Sequence, residues 1–66
     1  MSNWEQELQQ ARRLWQEAEN MQDNGDPNAK AKFREAAELY NKCLNGSGYN
    51  FPGVQKELQE RALYND

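Results

Sequence analysis

Between positions 24 and 27 the chain reads Asn-Gly-Asp-Pro, and this tetrapeptide separates two stretches whose apolar residues recur every three or four positions. Upstream lie Trp4, Leu8, Ala11, Leu14, Trp15, Ala18 and Met21, with Gln6, Gln9, Gln10, Arg13, Gln16, Glu17 and Asn20 on the opposite side. Steps of three and four trace one face of an α-helix, not the alternation of a strand. Gly25 predicts the stop, because glycine takes the left-handed conformation after a helix without a Cβ penalty. Asp26 and Pro27 predict the restart, as an N-cap and a first helical residue whose missing N–H costs nothing. The second stripe is Ala29, Phe33, Ala36, Ala37, Tyr40, Cys43 and Leu44, closed by Asn45-Gly46-Ser47-Gly48. Ser2 and Glu5 have capping-box spacing at the opposite end. The expectation is a long antiparallel helical hairpin, about residues 3–24 and 26–45, forced together by its tight turn.

Beyond it, Tyr49-Asn50-Phe51-Pro52-Gly53 is turn-rich, and Val54, Leu58, Ala62 and Leu63 then return to helical spacing. These predict a short third helix, about 52–63, docked through Val54 and Leu58. A helix of that length is marginal alone in water and borrows its stability from tertiary contacts. The fold class read here is all-α, with residues 1–66 forming a single small helical domain.

Size makes the core thin. A domain of 66 residues buries only about 60% of the surface its unfolded chain exposes, and the mean hydropathy is −1.29. Small folds usually recruit disulfides, a metal or a partner. Cys43 is the one cysteine and there is no histidine, so neither an intramolecular disulfide nor a Cys/His metal site can be assembled within the chain. Idealised helix packing or association is left as the source of stability, and no cofactor is expected.

A formal charge of −3 and a pI near 4.9 lack the basic field that nucleic-acid binders use. No apolar run approaches the ~20 residues needed to span a bilayer, and Met1-Ser2-Asn3-Trp4-Glu5 has no leader-like pattern. These features predict a soluble, cytoplasmic protein.

Charges support the hairpin. Glu17, Glu19 and Asp23 close the first helix, and Lys30, Lys32 and Arg34 open the second, each against its own helix dipole. An antiparallel turn brings the two clusters side by side, so they read as cross-helix complementarity. Glu38–Lys42 and Glu57–Arg61 add i,i+4 pairs.

Candidates for chemistry are few. Cys43 lacks an activating base and sits on the apolar stripe, where it reads as a small core residue. Glu17/Glu19 and Glu35/Glu38 lie on polar faces, where glutamates are usually just solvated and not an acid–base pair. Gly46-Ser47-Gly48 follows a helix and lacks a phosphate-loop lysine, so it reads as a helix stop. Arg12 and Arg13 with Lys30, Lys32 and Arg34 form a candidate anion or nucleic-acid surface, weakened by neighbouring Asp23 and Asp26. Trp4 and Trp15 share one face, eleven residues apart. Trp15 is expected at the centre of the hairpin. Either the Tyr49–Phe51 segment shields Trp4, or Trp4, Leu8, Tyr49 and Phe51 form an exposed apolar patch of the kind that marks an interface. These four are the candidate partner-binding residues, and an enzyme is not expected.

Laid out in this way, Ala11, Leu14, Ala18, Met21, the Gly25-Asp26 turn and Phe33-Arg-Glu-Ala36-Ala-Glu-Leu-Tyr40-Asn-Lys-Cys43-Leu44 resemble two related families of helical interaction domains. One is the tetratricopeptide repeat and the other the three-helix microtubule-interacting-and-transport domain. The resemblance covers about residues 11–44. It departs in the six residues Pro27–Lys32, which start the second helix more than a turn early, while Leu58 and Glu60-Arg61-Ala62 look more like the three-helix family. It implies binding of a helical or extended peptide in a groove between helices, and fixes no binding residue. The function expected is therefore a non-enzymatic protein–protein interaction module, an adaptor or regulator. The alternative is a structural hairpin that self-associates into a homodimeric bundle.

Overall fold

The computed structural model describes residues 4–46 and 52–64. It contains α1 (Trp4–Asp23), α2 (Ala29–Asn45) and α3 (Pro52–Ala62). The first two form the expected antiparallel hairpin and α3 packs on it, chiefly against α2. The fold is all-α, with no strand among the described residues. Ser2 of the expected capping box, and Ser47 and Gly48 of the second helix stop, lie outside the described residues.

The turn works as its glycine predicts, and in more detail. Gly25 has φ of 72°, in the left-handed region. The Asp26 N–H donates to the Met21 carbonyl at 2.9 Å and the Gly25 N–H to the Gln22 carbonyl at 3.0 Å. These are the paired 6→1 and 5→2 bonds of a Schellman motif, which satisfy carbonyls that α1 would otherwise leave open.

The start of the second helix corrects the sequence reading. Regular α-helix begins at Ala29 with Asn28 at its N-cap, and Asn28 makes no side-chain capping bond. Asp26 acts one turn earlier: its Oδ1 accepts from the Asn28 N–H at 2.8 Å, and its carbonyl accepts from the Ala29 N–H at 3.1 Å. The aspartate thus closes a tight turn over Pro27 and Asn28, from which the α-helix then unwinds. Its capping chemistry is as expected; its register is not.

Alanines set the spacing of the hairpin. Ala11, Ala18 and Ala36 are fully buried and carry so little side chain that α1 and α2 approach closely. Tyr40, Cys43 and Leu58 are the largest side chains with no meaningful exposure. Leu58 is the single fully buried residue of α3; Val54 and Ala62 pack beside it, half-buried. Complete burial of a leucine stabilises by about 1.5–3 kcal/mol, so Leu58 is the main apolar anchor of the short helix.

Two of the expected ion pairs form. Lys32 Nζ lies 3.7 Å from Glu17 Oε2 across the hairpin, and Arg61 Nη1 lies 3.4 Å from Glu57 Oε2 along α3.

Candidate functional site

The densest chemistry in the molecule lies where the three helices meet. It is built from four side chains, of which only Glu57 and Arg61 are linked by their spacing in the sequence. Arg12 projects from α1, Tyr40 from α2, and Glu57 and Arg61 from α3. The Arg12 guanidinium donates twice to one carboxylate, Nε to Glu57 Oε2 at 2.9 Å and Nη2 to Oε1 at 2.7 Å. The Tyr40 hydroxyl donates to Glu57 Oε2 at 3.0 Å and accepts from Arg61 Nη1 at 2.7 Å. Arg61 also donates to Glu57 Oε2 at 3.4 Å. One carboxylate therefore joins two guanidiniums and a phenol.

Aromatic rings wall this network on one side. The Trp15 ring meets Phe33 edge-on at a centroid distance of 4.8 Å, Tyr40 at 5.9 Å and Tyr64 at 5.9 Å. Tyr64 lies just past α3 and stacks on Phe33 at 5.0 Å and 21°. The Arg61 guanidinium sits 4.9 Å from the Trp15 ring centroid and 5.6 Å from that of Tyr40, within cation–π range. Trp15 is thus central, as its position on the stripe predicts.

The electrostatics follow from these contacts. The hydrogen bonds from Arg12 hold the Glu57 carboxyl below its ordinary range, helped by Tyr40 and by the charges of both arginines and opposed by desolvation. Glu57 in turn raises the Arg12 guanidinium above its usual value. Burial pushes the Tyr40 phenol up to about 12, with Glu57 assisting and Arg61 opposing. Among the described residues no buried side-chain nitrogen or oxygen lacks a partner. Chemically the network is a clamp: every strong donor and acceptor in it faces another helix.

The residues singled out from the sequence fall in different places. Leu8 is 5% exposed and belongs to the core, which removes it from the expected exposed patch. Trp4 is half-buried against that core, and its carbonyl accepts from the Cys43 thiol at 3.4 Å. Tyr49 and Phe51 lie outside the described residues. Cys43 is buried, and its thiol pKa is raised, first by desolvation. The basic candidates do not gather: Arg12 turns to Glu57 and Lys32 to Glu17, while Arg13 and Lys30 are exposed. Among the described residues no three Cys, Asp or Glu side chains converge as a metal-holding group, and no helix there is long and apolar enough to cross a membrane.

Two further surfaces emerge from the fold. An open groove of about 300 Å³ runs between α2 and the end of α3, lined by Arg34, Ala37, Glu38, Asn41, Ala62 and Tyr64. The other lies on the far flank of the hairpin. Residues on a helix advance by about 100° each. Leu14 therefore points about 160° away from Arg12, which faces α3, and Met21 about 180° away. Leu39 likewise points about 160° away from Ala37 and Asn41, which line the α2–α3 groove. Leu14 and Leu39 pack half-buried against the core, and Met21 is half-buried as well. Glu17, about one turn from both Leu14 and Met21, pairs across the hairpin with Lys32, about two turns before Leu39.

Comparison of the chain with protein-family models, with curated proteins and with solved structures yields no match.

Proposed function

We propose that the protein is a non-enzymatic helical interaction module, and that it binds a partner protein through the hairpin flank turned away from α3. The observation that carries this reading is the placement of Leu14, Met21 and Leu39 on that flank, each half-buried. A two-helix hairpin covered on one side by a short third helix has a second side to cover, and an amphipathic helix laid across it completes the packing. The polar clamp supports the same reading, since with α3 docked its charged groups are engaged within the chain and the opposite flank is the face presented. The resemblance to tetratricopeptide and microtubule-interacting-and-transport hairpins adds the expectation of a helical or extended peptide as ligand.

Self-association is the second reading, and one observation favours it. The flank carries both a cation, Lys32, and an anion, Glu17, so a two-fold related copy meets it with opposite charges in reach. Binding to nucleic acid or another anion gains less support, because Arg12 is already engaged by Glu57.

Sedimentation equilibrium from roughly micromolar to millimolar protein, with thermal melting over the same range, separates the two protein-binding readings. A dimer whose melting temperature climbs with concentration selects self-association. A monomer with constant melting temperature selects a foreign partner, and capture from cell extract then has to weaken in the Leu14→Gln and Leu39→Gln variants while both stay helical. A monomer whose captured proteins are indifferent to both substitutions defeats the assignment to this flank.

A further inference from the structure

The hairpin surface beneath α3 has the make-up of a recognition site. Its floor is aromatic, formed by Trp15, Phe33 and Tyr40, and its two polar groups, Arg12 and the Tyr40 hydroxyl, converge on Glu57 of the helix above. The Arg12 fork takes Glu57. The Tyr40 hydroxyl sits between Glu57 and Arg61. The Trp15 ring carries Arg61, Phe33 carries Tyr64, and the core receives Leu58. An apolar floor with a few convergent polar groups is the usual composition of a ligand site, and Leu58 and Arg61, spaced i and i+3, meet it from one face of α3 as the anchors of a helix in a groove do, with Tyr64 added just past the helix end.

The occupant is weakly tied compared with its site. Within α3 only Leu58 is fully buried, whereas α2 alone buries six residues. The ionic side of the clamp lies at the solvent boundary, with the Arg12 and Glu57 side chains 47% and 23% exposed. Eleven residues are also too few to persist as an isolated helix, since roughly 12–15 are marginal even in favourable sequences. Elements with little buried apolar contact open before the rest of a fold.

We propose that this surface is a binding site for a partner helix, and that α3 occupies it in cis as an autoinhibitory ligand. The partner helix carries the chemistry that α3 displays: a glutamate followed directly by a leucine, an arginine four residues after the glutamate and an aromatic residue seven after it. Charge complementarity argues for that occupant, because Arg12 reads a carboxylate through two parallel bonds and Trp15 reads a cation. The inference rests on the reading of the chain as a helical interaction module, and adds to the outer flank a second, gated face. Closure by α3 lowers the apparent affinity for the partner in proportion to the fraction of molecules that are open.

The test uses the full chain and a fluorescein-labelled peptide of residues 52–64, followed by anisotropy. Leu58→Ala loosens α3 without touching the groove, and is expected to bind the peptide at least about ten-fold more tightly than the unmodified chain. Adding Arg12→Glu to that variant abolishes binding, and a peptide carrying Glu57→Arg recovers part of it. Glu57→Gln in the chain is the milder release and decides the matter should Leu58→Ala lose its helicity. Native-state hydrogen exchange of the unmodified chain gives an independent reading, with α3 amides exchanging ahead of those of α1 and α2. The proposal is overturned when α3 exchanges only with the whole fold, or when helical Leu58→Ala and Glu57→Gln chains bind the peptide no better than the unmodified chain. Capture that still depends on Leu14 and Leu39 in that event keeps the interaction-module reading and removes the gated face alone.

Discussion

Arg12 and Glu57 stand 45 positions apart in the chain and meet in a two-bond fork, with N···O distances of 2.9 and 2.7 Å. The pair joins the first helix to the third, which otherwise rests mainly on the second. Forked geometry on a carboxylate that also accepts from Tyr40 sets this pair apart from the single 3.7 Å contact of Lys32 with Glu17.

A double-mutant cycle measures that difference. The coupling of Arg12→Ala with Glu57→Ala is expected near the top of the range for solvent-facing pairs, about 1 kcal/mol, and that of Lys32→Ala with Glu17→Ala near its bottom, about 0.2 kcal/mol. Urea unfolding of the single and double variants gives both values. Equal couplings refute the ranking.

Acid stability carries the same signature. The Glu57 pKa is lower in the folded chain than its reference value of 4.5. Its contribution is therefore complete above that value and is lost as pH falls through the folded pKa. Glu57→Gln is expected to be less stable at neutral pH, with a shallower fall in stability below about pH 4.5. Denaturant midpoints between pH 2 and 7, on the order of one point per half unit, test it; parallel curves for both proteins contradict the assignment.

Tyr40 predicts the alkaline limb. Its folded pKa of about 12 lies above the reference of 10.0, so its contribution is full below pH 10 and disappears as pH rises through 12. Tyr40→Phe keeps the ring and removes the hydroxyl from between Glu57 and Arg61. The substitution should cost about 1–3 kcal/mol at neutral pH, since it strips partners from partly buried charged groups, and should delete the share of alkaline destabilisation that begins near pH 10. An unchanged alkaline limb in Tyr40→Phe would locate that loss elsewhere.

Gly25 gives a prediction about backbone alone. A Cβ built there meets nothing within 4 Å, so any penalty comes from the φ of 72° and not from crowding. Gly25→Ala should cost about 1–2 kcal/mol, and Gly25→Asn markedly less, because asparagine tolerates the left-handed region. Thermal melts of the pair decide it: similar losses for both would mean that the glycine serves something other than the turn.

Cys43 tests the burial of the hairpin. With its thiol enclosed and its pKa raised by desolvation, modification by a disulfide reagent is expected to await unfolding. The reaction rate should rise with urea in parallel with the unfolded fraction. Labelling as fast as a small free thiol in the absence of urea would show that the α1–α2 seam opens locally.

The hairpin was legible because its signals are short-ranged. Three-and-four spacing reports a helix face directly, and Gly25 reports a conformation that other residues resist. Leu58 and the Glu57–Arg61 pair were legible in α3 for the same reason. Regular α2 starts three residues later than the sequence suggests, because the Asp26 carboxylate serves a turn equally well with or without α-helix immediately behind it. Of the clamp only that Glu57–Arg61 pair was legible, and its links to Arg12 and Tyr40 were not. Arg12 and Glu57 each look like solvated helix charges in their own segments, and only the docking angle of α3 brings them together. Leu8, which the sequence offers both to the apolar stripe and to an alternative exposed patch, follows Ala11 of that stripe into the core. Tyr64 does carry a signal in the sequence, since it continues the three-residue step from Leu58 through Arg61 past the last alanine.

The stacking of Tyr64 on Phe33 also has a consequence for proteolysis. The α1–α2 hairpin is made of neighbours in sequence, whereas Phe33 and the Trp15 ring take an aromatic neighbour from Tyr64, 31 positions after Phe33. Proteolytic cleavage between α2 and α3 is therefore a way to bare aromatic faces that the intact protein covers.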